Sequence, residues 1–327
     1  MLRTTIRALT LATAAAVLLA AATASAFAQA ADQPVKIVFP FAAGGSGDAL
    51  ARLIAEHLRT VLKQPVIVEN RTGAQGRLGV QQVKAAAPDG NTILLTPVAP
   101  MSVYQHVYKA LAYDPIADFA PVSQVATFDF AVAVSPQVPA KDLKELVAWL
   151  KANPDKGSYG TPGAGTLPHF LAVSFARTTG SDLRHVGYRG SAAALTDLIG
   201  GQIPLLVTTT ADVAEAHKAG RIKVLATSDA ARTPFLSEVP TLKEAGFDLV
   251  ATGWYGVFAP AGTPEAVVAR LSVGVAGAVQ SPRIKERLQA FGLVPTGTSA
   301  AELGRIQKAD SEQWAPAVKA SGFTPEQ

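Results

Sequence analysis

The chain has 327 residues and a formal net charge of +4. Its Lys and Arg residues are scattered and do not alternate with aromatic residues along one stripe, which excludes the usual footprint of a nucleic-acid-binding protein. It contains no cysteine, so disulfides, thiolate metal sites and a lipid-modified cysteine after a signal sequence are also excluded. The length is ample for one large domain or two ordinary ones.

The first thirty residues have the features of a targeting signal. Arg3 and Arg7 precede an apolar, alanine-rich stretch, and A-x-A cleavage sequences follow at 26–28 and 28–30. The apolar stretch is nearly long enough for a single transmembrane anchor, but its many alanines and the cleavage sequences favour removal. We therefore expect a cleaved signal peptide at 1–30 and a mature protein, free of disulfides, in the periplasm of a Gram-negative bacterium.

The stretch from Lys36 to Leu62 is predicted to fold as a strand, a glycine-rich loop and a helix. The loop, from Ala42 to Gly47, leads to Asp48 at the position of a helix N-cap. Five apolar residues follow at helical spacing, namely Leu50, Leu53, Ile54, Leu58 and Val61. A glycine-rich loop feeding a helix N-terminus presents unpaired N–H groups and the positive end of the helix dipole, which together favour an anion. The alternative is that the glycines only turn a strand into a helix.

The order of elements then repeats along the chain. Strands at 66–69 and 92–95, with a helix between them, complete a β-α-β-α-β unit, which favours a parallel sheet flanked by helices. A second unit of the same order contains the small-residue loop TPGAGT at 161–166 and a helix over 167–179, with Thr166 as its N-cap. The sequence therefore predicts an α/β protein built from two similar units.

Two long apolar segments, at 125–134 and 249–259, flank the second unit. We interpret them as a pair of strands that cross between two lobes. The chain at 97–118 is expected to be irregular, and a capping box at 241–244 predicts a helix start. Three more helices are predicted to end the sequence.

Two loop-to-helix junctions at matching places in a repeated unit suggest one shared site. Open parallel sheets bind ligands beyond the carboxyl ends of their strands, so the two loops would face each other across a cleft. Neither loop contains Lys or Arg, which phosphate sites often add. A carboxylate is therefore the predicted ligand group.

At this point the sequence is identified as resembling the Bug family, the periplasmic solute-binding receptors of tripartite tricarboxylate transporters. The resemblance covers essentially the whole mature chain. It is carried by blocks that include PFAAGGSGDALAR (40–52), QPVIVENRTGAQG (64–76), YGTPGAGTLPH (159–169), VGYRGSAAALTDLIGGQ (186–202) and WYGVFAPAGTP (254–264). It implies a type II periplasmic binding fold with lobe 1 at 31–126 and 256–327 and lobe 2 at 127–255. It also implies a monomer that passes its ligand to membrane transporter subunits.

The resemblance also implies which residues hold a ligand carboxylate, largely through backbone N–H groups and ordered water. On lobe 1 these are Ala43, Gly44, Gly45, Ser46 and Asp48. On lobe 2 they are Thr161, Gly163, Gly165, Thr166 and His169. The predicted set is completed by Phe41, Thr96, Arg189, Thr209 and Trp254.

Three places depart from the family pattern, and we therefore expect the far end of the pocket to differ from that of well-known relatives. Thr96-Pro97 replaces Gly-Thr or Gly-Ser after the third strand, and Pro97 lacks an N–H for a ligand. Thr208-Thr209 replaces an Asp-Asn pair, and Arg189 replaces a lysine, which keeps the charge but changes its geometry.

Two aromatic or titratable residues of the predicted site have alternative readings. His169 has no Ser or Asp partner at motif spacing and no second His nearby in sequence, so a bond to the loop or to a ligand is favoured over catalysis or metal binding. Trp254 and its neighbour Tyr255 would either wall the cleft or pack the crossing strand. No metal or cofactor is expected.

Three functions compete on the sequence alone. The favoured one is a non-enzymatic carboxylate receptor, used for uptake or, alternatively, as a sensor without its own transporter. A hydrolase using Ser46 lacks the strict G-x-S-x-G elbow. A phosphate or nucleotide binder lacks the lysine of G-x-x-x-x-G-K-[ST] and the full G-x-G-x-x-G pattern.

Overall fold

The computed structural model describes residues 33–321 and 323–324 of the chain. The predicted signal peptide lies outside these residues. No helix among the described residues is long and apolar enough to cross a membrane.

The elements alternate as the sequence predicts. The strands are β1 Val35–Phe39, β2 Val66–Asn70, β3 Thr92–Pro97, β4 Phe119–Val134, β5 Ser158–Thr161, β6 Arg184–Gly187, β7 Leu205–Thr209, β8 Lys223–Thr227, β9 Thr252–Pro260 and β10 Val294–Pro295. The α-helices are α1 Ser46–Leu62, α2 Arg77–Lys84, α3 Tyr104–Val107, α4 Leu143–Ala152, α5 Leu167–Thr179, α6 Ser191–Ile199, α7 Thr210–Lys218, α8 Glu265–Gln280, α9 Pro282–Ala290 and α10 Ala300–Ser321.

One long strand, β4, connects two halves of the sheet. The strand order is β2-β1-β3-β9-β4-β7-β5-β6, with β8 and β10 also paired to β4. Residues 119–129 of β4 pair antiparallel with β9, whereas residues 130–134 pair with β7 and residues 131–134 with β8. Strands β1, β2 and β3 are parallel in one half, and β5, β6 and β7 are parallel in the other. The two-lobe α/β fold is therefore confirmed.

The chain passes back from the second half of the sheet to the first just before β9. The Ala251 N–H donates to the Ser228 carbonyl at 2.9 Å, and the Ser228 hydroxyl donates back to the Ala251 carbonyl at 2.5 Å. From Thr252 onward the chain pairs with β4 in the first half. The two apolar segments thus cross between the halves, while the residue-level lobe boundaries stay a prediction.

Helix α1 covers the first half of the sheet with its apolar stripe. Leu50, Ile54 and Leu58 are fully buried and Leu53 nearly so, as the spacing predicts. The fifth member, Val61, is 48% exposed. It lies against Gly274 of α8, and a glycine has no side chain with which to cover it.

Three local predictions need correction. Helix α1 begins at Ser46 with Gly45 as N-cap, so Asp48 is not the cap but lies in the first turn, from where it accepts the Gly44 N–H. The chain at 97–118 is not wholly irregular, because a buried π-helical turn at Ala99–Val103 leads into α3. The capping-box bonds between Thr241 and Glu244 form, but a turn follows instead of a helix.

Candidate functional site

The two halves of the molecule are closed onto each other at the first glycine-rich loop. The Ala42 N–H donates to the Arg189 carbonyl at 3.1 Å, and the Ser46 N–H donates to Asp212 Oδ1 at 2.7 Å. Gly190 permits the close approach, because its φ of +138° is in the region that favours glycine and a Cβ there would lie 3.4 Å from Ala42.

A cavity of about 60 Å³ lies in the closed cleft. This is several times the ~10–15 Å³ that one water molecule needs. Most of its lining residues are apolar, and Asp212 is the only one among them with a charged side chain. The lining residues are Phe39, Phe41, Ala42, Gly45, Ser46, Gly47, Pro97, Val98, Ala99, Phe128, Phe130, Pro162, Thr166, Leu167, Pro168, Gly190, Ser191, Thr209, Asp212 and Tyr255.

The N-termini of four helices meet at this cavity. Each contributes its N-cap residue to the lining, namely Gly45 for α1, Thr166 for α5, Gly190 for α6 and Thr209 for α7. The first N–H groups of a helix have no partner within the helix, and the dipole places about half a positive charge there. The helix N-termini therefore supply the positive potential at this cavity, since no cationic side chain lines it.

The start of α1 is fixed from outside the cavity by Asp48. Its carboxylate accepts the Gly44 N–H at 3.1 Å, two nitrogens of Arg52 at 3.0 Å and the Asn70 amide at 3.0 Å. Burial alone would raise the pKa of Asp48, but the bonds from Arg52, Asn70 and Gly44 outweigh it and hold the pKa below its ordinary value. Asp48 thus stays ionised and orients the loop.

The loop before α5 is held together by its own side chains. The Thr161 and Thr166 hydroxyls both donate to the Gly163 carbonyl, at 3.0 and 2.7 Å. The Gly165 N–H donates to His169 Nδ1 at 3.0 Å. Since Pro168 has no N–H, α5 offers fewer donors in its first turn than α1 does.

Two stacked histidines support this second loop. The rings of His169 and His185 lie 4.1 Å apart, and His185 Nε2 lies 2.6 Å from the Thr161 hydroxyl. Burial lowers the pKa of His169 to about 3, with a smaller effect of His185, and lowers the pKa of His185 to about 4. Both rings are therefore neutral at physiological pH. The loop bond favoured for His169 from the sequence is made.

The crossing strands supply an aromatic wall. Phe128 and Phe130 of β4 form an edge-to-face pair at 5.5 Å, and Tyr255 of β9 lies 4.6 Å from Phe128. The Tyr255 hydroxyl is 3.4 Å from the Ser46 hydroxyl. Burial, with a smaller effect of the Asp212 charge, raises the pKa of Tyr255, so the phenol stays protonated.

The structure brings five of the predicted site residues to the cavity: Phe41, Gly45, Ser46, Thr166 and Thr209. Ten of the predicted residues are outside its lining: Ala43, Gly44, Asp48, Thr96, Thr161, Gly163, Gly165, His169, Arg189 and Trp254. Asp48 and His169 are among these ten, and each accepts an N–H of the loop that precedes its helix. Trp254 packs on Phe258 and donates its indole N–H to Asp310 of α10.

Arg189 lines a neighbouring cavity of about 230 Å³, which shares Phe41 and Pro162 with the first. The Arg189 residue is exposed. The rim includes Ala74 and Gln75, whose φ angles of +46° and +54° are uncommon for residues other than glycine.

Fifteen of the twenty lining residues are missing from the predicted set. Four of them bear directly on the chemistry of the cavity, namely Phe128, Phe130, Asp212 and Tyr255, and of these only Tyr255 was considered, as one of two alternatives. Phe128 and Phe130 are two apart in a predicted strand, so the alternation of strand faces could have placed both on one wall. Asp212 follows the end of β7 by three residues, at the edge of the sheet where ligands bind. Within the described residues, no group of His, Asp and Glu side chains could hold a metal ion.

Comparison with known families identifies the chain. A family model described as "Tripartite tricarboxylate transporter family receptor" matches residues 50–323. The chain belongs to this family. It is a periplasmic solute-binding receptor and not an enzyme, so the hydrolase hypothesis for Ser46 is not pursued.

Solved structures agree with this assignment. The periplasmic binding protein BugD is 32% identical, with a TM-score of 0.86 over 90% of this chain and 99% of that one. MatC from Rhodopseudomonas palustris, solved with bound malate, is 30% identical, with a TM-score of 0.83 over 87% and 98%. Rpa4515 from R. palustris, solved with adipate, is 31% identical, with a TM-score of 0.86 over 90% and 98%.

Proposed function

We propose that this receptor binds a small carboxylate in the closed cavity and presents it to the membrane subunits of a tripartite tricarboxylate-type transporter. The observation that carries the proposal is the convergence of four helix N-termini on one cavity. Malate in MatC and adipate in Rpa4515 add support, since both are carboxylates and both proteins share the fold.

Backbone N–H groups are the proposed carboxylate donors. The N–H groups of Gly45 and Gly47 in α1 and of Leu167 in α5 belong to residues that line the cavity from opposite halves. Such donors need no side-chain ordering and cannot be titrated away. Each helix end favours a nearby anion by ~0.3–1 kcal/mol at an exposed site and by up to ~2 kcal/mol when partly buried. The apolar walls strengthen these interactions by excluding water.

Ligand binding would couple to lobe closure. A carboxylate held by α1 and α5 at once contacts both halves, and it therefore stabilises the closed arrangement over an open one. The two crossings, in β4 and just before β9, are the segments about which the halves would rotate. Transporter subunits that bind only the closed conformation would then prefer receptors that hold a ligand.

A thermal-shift screen of the chain from residue 31 onward tests the proposal. Malate, adipate and a panel of monocarboxylates would each be compared with the corresponding amide. A ligand of the native state raises the melting temperature, by an amount that grows with concentration. We expect at least one acid to do so while its amide does not. Shifts produced only by phosphorylated compounds, or equally by acids and amides, would contradict a carboxylate site.

A further inference from the structure

Asp212 places a negative charge in the wall of a cavity that is proposed to bind an anion. It lies in the first turn of α7, but its Oδ1 accepts the Ser46 N–H of α1, 2.7 Å away across the cleft. One of the donors at the start of α1 is thus already bound to a carboxylate. No Lys, Arg or His is among the described cavity-lining residues.

The charges in the cavity set how many ligand carboxylates it can hold. Four helix N-termini contribute roughly half a positive charge each, or about two in all. Asp212 cancels about one of these. The remainder matches one ligand carboxylate, and a second one would be left without compensation in a largely apolar space.

The other surfaces of the cavity also favour an uncharged ligand body. Phe39, Phe41, Phe128, Phe130 and Pro97 line it, and none of these side chains can bond to a carboxylate. The lining also has hydroxyls, but that of Thr166 donates to the Gly163 carbonyl, that of Ser191 accepts from Thr208, and those of Ser46 and Tyr255 lie 3.4 Å apart. Pro97 in addition lacks a backbone N–H. Arg189 is in the neighbouring cavity and is exposed, so it is not among the groups that line this one.

We propose that Asp212 makes this receptor selective for monocarboxylates with an apolar body and rejects dicarboxylates. The inference rests on the proposed carboxylate site and names its substrate class. The carboxylate of the ligand would lie at the helix N-termini, with its hydrocarbon portion against the phenylalanines of β1 and β4. A second carboxylate would meet the negative charge of Asp212.

Matched acids that differ only in one carboxylate test this inference. Hexanoate and adipate have the same carbon chain, and monomethyl adipate keeps that chain but replaces the second carboxylate by an uncharged ester. We expect isothermal titration to show hexanoate and the monoester binding about ten- to a hundredfold more tightly than adipate, since the difference is one unpaired buried charge.

Substitution of Asp212 tests whether this residue causes the preference for monocarboxylates. In Asp212→Asn, the affinity for hexanoate should exceed that for adipate by a smaller factor than in the wild type, or should fall below it. Glu215→Gln, which removes an acid from the exposed side of the same helix, should leave the ratio unchanged. Asp212→Ser provides a second, smaller replacement if the asparagine variant fails to fold, as judged by its thermal unfolding.

The outcomes separate this inference from the proposed function. Tighter binding of adipate than of hexanoate by the wild-type protein, or an unchanged ratio in both Asp212 variants, would overturn the inference and leave a carboxylate receptor standing. Equal binding of hexanoate and hexanamide would instead overturn the carboxylate site itself, and the inference with it.

Discussion

At the scale of single residues, the site depends on small side chains at the start of α1. Gly45 is the N-cap, and a Cβ built on it would point at Asp212, 3.5 Å from Oδ1. The position tolerates an L-residue, because its φ of −90° is ordinary. The backbone conformation therefore does not require a glycine here, and the proposed site needs it for the space that it leaves in the cavity.

We predict that Gly45→Val abolishes ligand binding with little loss of stability. The branched side chain would fill space beside the N–H donors and displace Asp212. Titration with the best acid from the screen measures the first effect, and thermal unfolding measures the second. Gly277→Val, on the exposed face of α8, is the matched control and should bind normally. Unchanged affinity in Gly45→Val would place the ligand elsewhere.

Thr166→Ala tests the opposite side of the cavity. The change removes the 2.7 Å bond from the Thr166 hydroxyl to the Gly163 carbonyl and loosens the loop before α5. We expect about 1 kcal/mol less stability and affinity weakened by ~1–2 kcal/mol. Thr196→Ala, on the exposed side of α6, should change neither. An affinity equal to that of the wild type would show that this loop does not hold the ligand.

The burial of Asp129, which lies where β4 passes from one half of the sheet to the other, lowers the free energy of unfolding at neutral pH. It is 4% exposed, and its Oδ2 has no hydrogen-bond partner among the described residues. Burial raises the pKa of Asp129 to about 6. Because this lies above the unfolded value near 3.9, the folded state binds more protons between about pH 4 and 6, and this group's contribution to stability falls as the pH rises through that window.

Asp129→Asn should therefore raise the free energy of unfolding at neutral pH by up to ~3 kcal/mol. The gain should shrink towards zero at about pH 4, where the wild-type carboxyl is protonated in the folded state. Urea denaturation between pH 4 and 7 measures both. Asp182→Asn at an exposed site is the control. A gain that is the same at every pH would rule out the titration of Asp129 as its cause.

At the scale of elements, the stacked histidines determine how the loop before α5 responds to acid. His169 accepts the Gly165 N–H at Nδ1, so its own proton is on Nε2. Thr161 donates its hydroxyl proton to Gly163, so His185 must donate to Thr161 from Nε2. Both rings are thus predicted to be neutral Nε2–H tautomers.

The histidine pair should make the protein sensitive to acid. The pKa values of His169 and His185, lowered to about 3 and about 4, lie below the unfolded value near 6.5. The unfolded state therefore binds more protons between about pH 6.5 and 3, and stability is lost as the pH falls through that window. Long-range ¹⁵N–¹H spectra at pH 5 should show both rings neutral in the folded protein and protonated in urea. Protonated rings in the folded protein would contradict the buried stack.

The sequence predicts elements well where the pattern is local. Helix α5 has the predicted bounds, Leu167 to Thr179, because Thr-Leu-Pro at its start and Gly180 at its end are strong local signals. The start of α1 was missed by three residues, because Ser46, Gly47 and Asp48 can adopt helical angles when Asp48 satisfies Gly44 from the first turn. The capping box at Thr241 formed its bonds without a helix, since no long apolar stripe follows it.

The site was predicted less completely than the fold, for a physical reason. Local motifs and the family resemblance predicted five residues that line the cavity. Phe128, Phe130, Tyr255 and Asp212 reach the cavity only because β4 and β9 cross between the halves and α7 begins beside α1. Contacts between residues more than a hundred positions apart have no local pattern in the sequence.

At the scale of the whole molecule, the proposed ligand binding depends on the contacts between the two halves. The direct bonds from Ala42 to Arg189 and from Ser46 to Asp212 connect the loop before α1 to the start of α6 and to the first turn of α7. Ala42, Ser46 and Asp212 also line the cavity, so these contacts are part of its wall. A ligand that adds bonds to both halves would therefore stabilise this closed shape further, relative to an open one.

The most direct test of this account is a crystal structure of the complex with the best acid found in the thermal-shift screen. We expect one carboxylate within hydrogen-bond distance of backbone N–H groups at the starts of α1 and α5, with the ligand body against Phe128 and Phe130. An acid bound in the neighbouring cavity beside Arg189, or outside the cleft, would contradict it.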